Sequence, residues 1–197
     1  MSGRLEIIMG CMFSGKSTEL IRRLKRCKAI FQKVLVINSS KDTRSQEEVI
    51  KTHDGVAFQC IKTTKLMDVY HNPSYINAAV IGIDEGQFFE DLHEFVKFTL
   101  CLQKHIIIAS LDGDSNQKSF GQTLSLIPLA DNVDKLHALC MECHDGTLAP
   151  FTKRHVKGGT QELIGSNEIY SAVCRNHLAD SDPVDVLIEH VVADNLY

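Results

Sequence analysis

The chain has 197 residues, 44% of them hydrophobic and 23% charged, enough for one sizeable core or one core with a small appendage. A formal net charge of -4 gives no general attraction to nucleic acid or to anionic membranes, so neither is expected as a partner. The longest apolar runs, Ala78 to Ile83 and Ile106 to Ala109, have the length of strands and are too short to span a bilayer. The first residues also lack the apolar centre of a signal peptide, so a cytoplasmic location is expected.

In chain order, Leu5 to Met9 reads as a short buried strand, followed by a glycine-containing loop and a helix from about Lys16 to Phe31. In that helix Leu20, Leu24, Cys27 and Phe31 recur on one face while Arg22, Arg23, Lys25, Arg26 and Lys28 fill the other, which predicts a half-buried helix. Further strands are expected at Val34 to Asn38, Ala78 to Asp84 and His105 to Leu111, with a helix near Leu92 to Gln103. Strands without polar alternation, interleaved with helices, predict an α/β fold whose parallel sheet is covered on both faces. Regular alternation stops after about Asp131, where a tail containing Cys, His and Gly begins. The expected division is therefore 1–130 for the α/β part and 131–197 for the tail, with a loop at Lys153 to Gln161 inside it.

Gly10-Cys11-Met12-Phe13-Ser14-Gly15-Lys16-Ser17 matches G-x-x-x-x-G-K-[ST], after a strand and at the start of a helix. Glycines let consecutive backbone N–H groups turn toward phosphate oxygens, and the helix N-terminus adds the positive end of its dipole. Lys16 is expected on the β- and γ-phosphates of a nucleoside triphosphate, with the Ser17 hydroxyl on Mg²⁺. Asp84 and Glu85 follow the apolar strand Ala78 to Ile83, which places them at the ligand-binding rim of a parallel sheet. Asp84 is expected to orient Mg²⁺, directly or through water. Glu85 then either activates water for hydrolysis or takes a proton from a substrate hydroxyl.

Seven cysteines make a poor disulfide framework, since the count is odd and Cys11, Cys27, Cys60 and Cys101 lie singly. The other three belong to Cys140-Met141-Glu142-Cys143 and Cys174-Arg175-Asn176-His177, a C-x-x-C followed by a C-x-x-H. Two such knuckles suit a closed, structural, tetrahedral Zn²⁺ that staples a tail too short for its own core. His144 is an alternative fourth ligand, but only His177 completes the second knuckle.

At these residues the chain resembles the type II thymidine kinases. The likeness runs from Gly10 to His177. It rests on the phosphate loop with Thr18-Glu19-Leu20, on Lys41-Asp42-Thr43-Arg44, Thr52-His53-Asp54, Asp84-Glu85-Gly86-Gln87-Phe88-Phe89 and Leu111-Asp112-Gly113, and on Phe120-Gly121, Phe151-Thr152-Lys153-Arg154, Ile164-Gly165 and Tyr170. The resemblance implies a P-loop, RecA-like parallel sheet flanked by helices, with a small C-terminal zinc-binding domain carrying a lasso-shaped loop at about Lys153 to Gly165. It implies ATP, Mg²⁺ and structural Zn²⁺ as cofactors, thymidine as substrate, feedback by thymidine triphosphate, and a homotetramer.

By the same resemblance Glu85 deprotonates the 5′-hydroxyl of thymidine, with Lys16 and Arg44 as the other catalytic residues. Gly10, Met12, Phe13, Ser14, Gly15, Lys16, Ser17 and Thr18 hold the nucleotide together with Asp42 and Asp84. Met12, Phe88, Leu111, Phe120, Thr152, Ile164, Gly165 and Tyr170 surround the nucleoside. The chain departs from the family pattern at Cys11, where proline is usual, and at Ser45, Asp114, Ser115 and Ser119.

Three classes of function compete on the motifs. A nucleoside kinase uses all of them. A motor ATPase uses the phosphate loop and Glu85, but this chain has no extra basic or aromatic segment to grip a strand. A binding module contacts nucleic acid through the tail, yet Lys153, Arg154, Lys157 and Arg175 there are offset by Asp180, Asp182, Asp185 and Glu189.

Overall fold

The computed structural model describes residues 3–30, 32–42, 49–51, 57–156, 161, 163, 165 and 168–179. In chain order its elements are β1 (Arg4–Gly10), α1 (Lys16–Ala29), β2 (Val34–Ser39), β3 (Val49–Lys51), β4 (Ala57–Gln59), β5 (Ile61–Thr63), α2 (Pro73–Asn77), β6 (Val80–Ile83), α3 (Leu92–Cys101) and β7 (His105–Leu111). They are followed by β8 (Asn132–Leu136), β9 (Ala138–Leu139), β10 (Leu148–Ala149), β11 (Phe151–Arg154), β12 (Tyr170–Val173) and α4 (Arg175–Ala179).

Six strands form one sheet in the order β5-β2-β6-β7-β1-β8, and every pairing within it is parallel. The missing polar alternation has a direct cause. Leu5, Ile7 and Met9 of β1 pack on one side of the sheet with Leu92, Phe95 and Val96 of α3, while Ile8 between them packs on the other with Leu20, Ile21 and Leu24 of α1. β7 repeats the arrangement, with Ile106 and Ile108 on the first side and Ile107 and Ala109 on the second. Successive side chains of a strand face opposite ways, so a sheet covered on both faces needs apolar residues at every position.

The first helix is shorter than its periodicity predicts. It ends at Ala29, where the Ile30 N–H bonds back to Cys27 O in a tighter turn and the Ile30 side chain is left exposed. The sheet in turn runs past Asp131, where the βα alternation ends. The Leu5 N–H donates to the Asp131 carboxylate at 2.7 Å and the Asp131 N–H to Leu5 O at 2.8 Å, which brings the chain alongside β1 to add β8 as an edge strand.

Beyond β8 the chain forms two small antiparallel pairs, β9 with β10 and β11 with β12. Their core of Ala138, Cys140, Ala149, Ala172, Val173, Cys174 and Leu178 also takes in Cys11 from the phosphate loop. Among the described residues, no helix is long and apolar enough to cross a membrane.

Candidate active site

The C-terminal ends of β1, β2, β6 and β7 open on one rim of the sheet, where a parallel α/β fold binds its ligands. Gly10 closes β1, and the loop turns into α1 through Gly15, whose φ of 82° lies in the left-handed region that a residue without Cβ adopts freely. Phe13 also has a positive φ, 65°. Inside the loop the Ser14 hydroxyl and the Lys16 ammonium both donate to Cys11 O, at 2.8 and 2.6 Å. Desolvation pushes the Lys16 pKa below lysine's ordinary value, and the nearby charges of Glu85 and Asp84 partly offset it. A polyanion in the loop would relieve this strain. Thr18 is exposed on the first turn of α1.

Asp84 follows β6, tied to β2 by its N–H on Ile37 O at 2.9 Å, and is 3% exposed. Its Oδ1 accepts the Ser17 hydroxyl at 3.0 Å and the Glu85 N–H at 3.1 Å. A hydroxyl and a carboxylate this close form the oxygen donor pair that a hard cation such as Mg²⁺ takes. Asp42, buried just past the C-terminal end of β2, accepts from Asn38 Nδ2 at 3.0 Å. Glu85 itself has φ 53° and ψ 43°, a left-handed conformation that is uncommon and costly for a residue other than glycine and that clusters at functional sites.

Beside Glu85, the rings of Phe88 and Phe120 meet edge to face at 5.6 Å, and the Lys41 ammonium lies 5.9 Å from the Phe88 centroid. Leu111 ends β7, and its N–H donates to Gln87 Oε1 at 3.0 Å. Across the cleft the Met12 N–H donates to Thr152 Oγ1 at 3.0 Å, which joins the phosphate loop to β11. The Tyr170 hydroxyl donates to Leu163 O at 2.6 Å, so β12 anchors the described part of the lasso, where Gly165 packs on Ile169. Arg44, Ile164 and Thr52-His53-Asp54 lie outside the described residues.

Two contacts have no counterpart in the sequence reading. Gln87 holds both Glu85 and Leu111, although a spacing of two residues carries no facing signal. Gln161 Nε2 donates to Asp114 Oδ2 at 2.7 Å and to Ser119 O at 3.1 Å, so two positions that depart from the family pattern touch the same loop residue. The departure at Cys11 also has a structural role. Burial pushes its thiol pKa up, and the protonated Sγ donates to Ala149 O at 3.1 Å.

The four knuckle residues meet. Their donor atoms lie within 4.8 Å of one another, and the fourth is His177 Nδ1, not His144. Zinc bond lengths imply S···S edges of about 3.8 Å and S···N edges of about 3.5 Å in a tetrahedron. Cys143 and Cys174 are 3.7 Å apart, and His177 Nδ1 lies 3.6, 3.3 and 3.4 Å from the sulfurs of Cys140, Cys143 and Cys174. The donor set therefore fits a tetrahedral zinc in number, chemistry and spacing. Burial raises the Cys140 thiol, but backbone N–H groups led by that of Cys174 outweigh it and bring the pKa down to about 6, which favours the thiolate a metal binds. Lys153 Nζ donates to His177 O at 2.8 Å and to Glu142 at 3.1 Å, lacing the second knuckle to the first.

Comparison with known proteins agrees with this arrangement. A family model described as thymidine kinase matches residues 3–178. The chain is 43% identical to the cytosolic thymidine kinase of Gallus gallus over 88% of its own length and 75% of that protein's. It is 42% identical to thymidine kinase a of Arabidopsis thaliana over 98% and 82% of the two lengths, and 44% identical to the thymidine kinase of Vaccinia virus (strain Western Reserve) over 91% and 98%. Identity at this level across nearly the whole chain, on top of a matching phosphate loop and rim, places the chain in the thymidine kinase family.

Proposed function

We propose that this chain transfers the γ-phosphoryl group of ATP to the 5′-hydroxyl of thymidine, and of deoxyuridine, giving the 5′-monophosphate for DNA synthesis. The observation that carries the reading is the convergence of Lys16, Ser17, Asp84 and Glu85 on one rim, with the Phe88–Phe120 pair beside them. Lys16 and the N–H groups of the loop bind the β- and γ-phosphates. Ser17 and Asp84, with Asp42 behind them, would hold Mg²⁺, which when bound supplies positive charge against those oxygens. Glu85 accepts the hydroxyl proton as the 5′-oxygen bonds to the γ-phosphorus and the bond from that phosphorus to the β,γ-bridging oxygen breaks, with ADP as the leaving group. Met12, Phe88, Leu111, Phe120, Thr152 and Tyr170 enclose the nucleoside, while the resemblance assigns Ile164 and Gly165 to the loop that covers it and Arg44 to the transferring charge.

Cys140, Cys143, Cys174 and His177 would hold one structural Zn²⁺. The chain divides into a nucleotide-binding part, 1–130, and a metal-clamped part, 131–197, with β8 of the second part pairing with β1 of the first. Homotetramer assembly and feedback by thymidine triphosphate in the nucleoside site follow the resemblance, and a cytoplasmic location follows the resemblance together with the cytosolic relative.

The test is ATP consumption with thymidine, with single-stranded DNA, and with neither. Thymidine-dependent ADP formation is expected. Turnover driven by DNA alone would instead mark a motor, and turnover with neither a simple hydrolase.

A further inference from the structure

Glu85 is a flexible carboxylate on a left-handed backbone residue, so something has to set its direction. The short helical turn Gly86–Phe88 folds the Gln87 side chain back beneath it, and Gln87 Nε2 donates to Glu85 Oε2 at 2.5 Å. The other end of the same amide accepts the Leu111 N–H at 3.0 Å and the Ser110 hydroxyl at 3.1 Å. A backbone N–H can only donate, so the Gln87 oxygen must face β7 and its NH₂ must face Glu85. The amide has one usable orientation.

The surroundings hold it there. Gln87 is 3% exposed, and Ser110 and Thr123 are fully buried, with the Thr123 hydroxyl donating to Ser110 Oγ at 2.7 Å. Gly121 has φ +65°, and a Cβ there would come within 2.3 Å of Gln87 O, so the turn after Phe120 clamps the glutamine backbone as well. Buried, satisfied networks of this kind hold one geometry firmly, because each alternative leaves a desolvated polar atom without a partner.

We infer that Gln87 is a positioning residue: it ties the Glu85 carboxylate to the end of β7, fixing the distance between the proton acceptor and the wall of the nucleoside pocket. The inference rests on the reading of Glu85 as base. Gln87 touches neither the nucleoside hydroxyl nor the transferred phosphoryl group, and it neither gives up nor takes a proton. It donates to Glu85 Oε2 before and after the hydroxyl proton moves to the carboxylate, and so acts only through Glu85.

The experiment is a four-protein cycle of wild type, Gln87→Leu, Glu85→Ala and the double variant, with kcat and KM measured for ATP and thymidine. Gln87→Leu is expected to lower kcat about 10- to 100-fold while KM for ATP stays within about threefold, the size of loss that small misplacements of a catalytic group produce. In the Glu85→Ala background the same substitution should cost nothing further, since the group it aims is gone. Equal loss in both backgrounds overturns the inference and leaves the base assignment standing. Glu85→Ala turning over at the wild-type rate removes the base assignment and the inference with it. Gln87→Asn, which keeps an amide but is one methylene too short to span both partners, serves as the second variant should Gln87→Leu not fold, with the same expectations.

Discussion

The Ser17 hydroxyl donates to Asp84 Oδ1 across 3.0 Å, joining the start of α1 to the end of β6 over 67 residues of sequence. The parallel sheet brings the helix start that follows β1 and the C-terminal end of β6 to one edge. Asp84→Asn keeps the shape and a hydrogen-bond partner for Ser17 but removes the charge. It should lower kcat by about 100-fold or more and raise the Mg²⁺ concentration needed for half-maximal rate, read from a magnesium titration at saturating ATP. An unchanged magnesium midpoint would count against Asp84 as part of the cation site.

Lys16→Met should separate stability from function. Desolvation lowers the Lys16 pKa, so its charged form weakens the nucleotide-free fold up to that lowered pKa, and the penalty fades only as pH rises through it. Removing the charge should raise the nucleotide-free thermal midpoint at pH 7 while ATP affinity falls about 100-fold by calorimetry. A lower midpoint together with intact ATP binding would contradict both halves.

Elemental analysis should find about one zinc per chain, and Cys140→Ser should lose it. Because the Met12 N–H bonds Thr152 Oγ1 and the Cys11 thiol bonds Ala149 O, loss of the metal lobe should also loosen the phosphate loop. Hydrogen exchange should rise over 138–154 and, to a lesser degree, over 10–16. Full protection of both segments in a metal-free preparation would sink this prediction.

Cys11→Ala removes the thiol that donates to Ala149 O, at a buried residue. The expected cost is about 1–2 kcal/mol in denaturant unfolding, for the lost bond and the small cavity together. No change in the midpoint would show the thiol to be packing only.

Acid stability should depend on Glu19. Two hydrogen bonds from Arg22, one to each oxygen, with a third from Arg23 to Oε1, hold its pKa at about 2, below the usual 4.5. A depressed carboxylate pKa adds stability that is complete above the unfolded value and is lost as pH falls through the folded one, so this contribution disappears between about pH 4.5 and 2. The thermal midpoint of Glu19→Gln should fall less than that of wild type across the window. Parallel curves would assign acid unfolding to other groups.

Local patterns in the chain were enough for several conclusions. The phosphate loop is a contiguous string whose chemistry depends on backbone curl and helix start, both of which are short-range, so Gly10 to Ser17 announces itself. Apolar runs at β1, β2, β6 and β7 declare strands buried on both faces, and the paired knuckle spacings declare a metal clamp, because each reflects nearest-neighbour geometry. Tertiary structure alone decided the rest. That Gln87, not only Glu85, belongs to the site depends on a left-handed turn and on the arrival of Leu111 at the end of β7. That β8 joins the sheet depends on Asp131 reaching Leu5, and that the phosphate loop rests on the metal lobe depends on Met12 meeting Thr152 and Cys11 meeting Ala149. Each of these is a meeting of residues far apart in the chain, and a meeting of that kind leaves no periodicity in a sequence to be read.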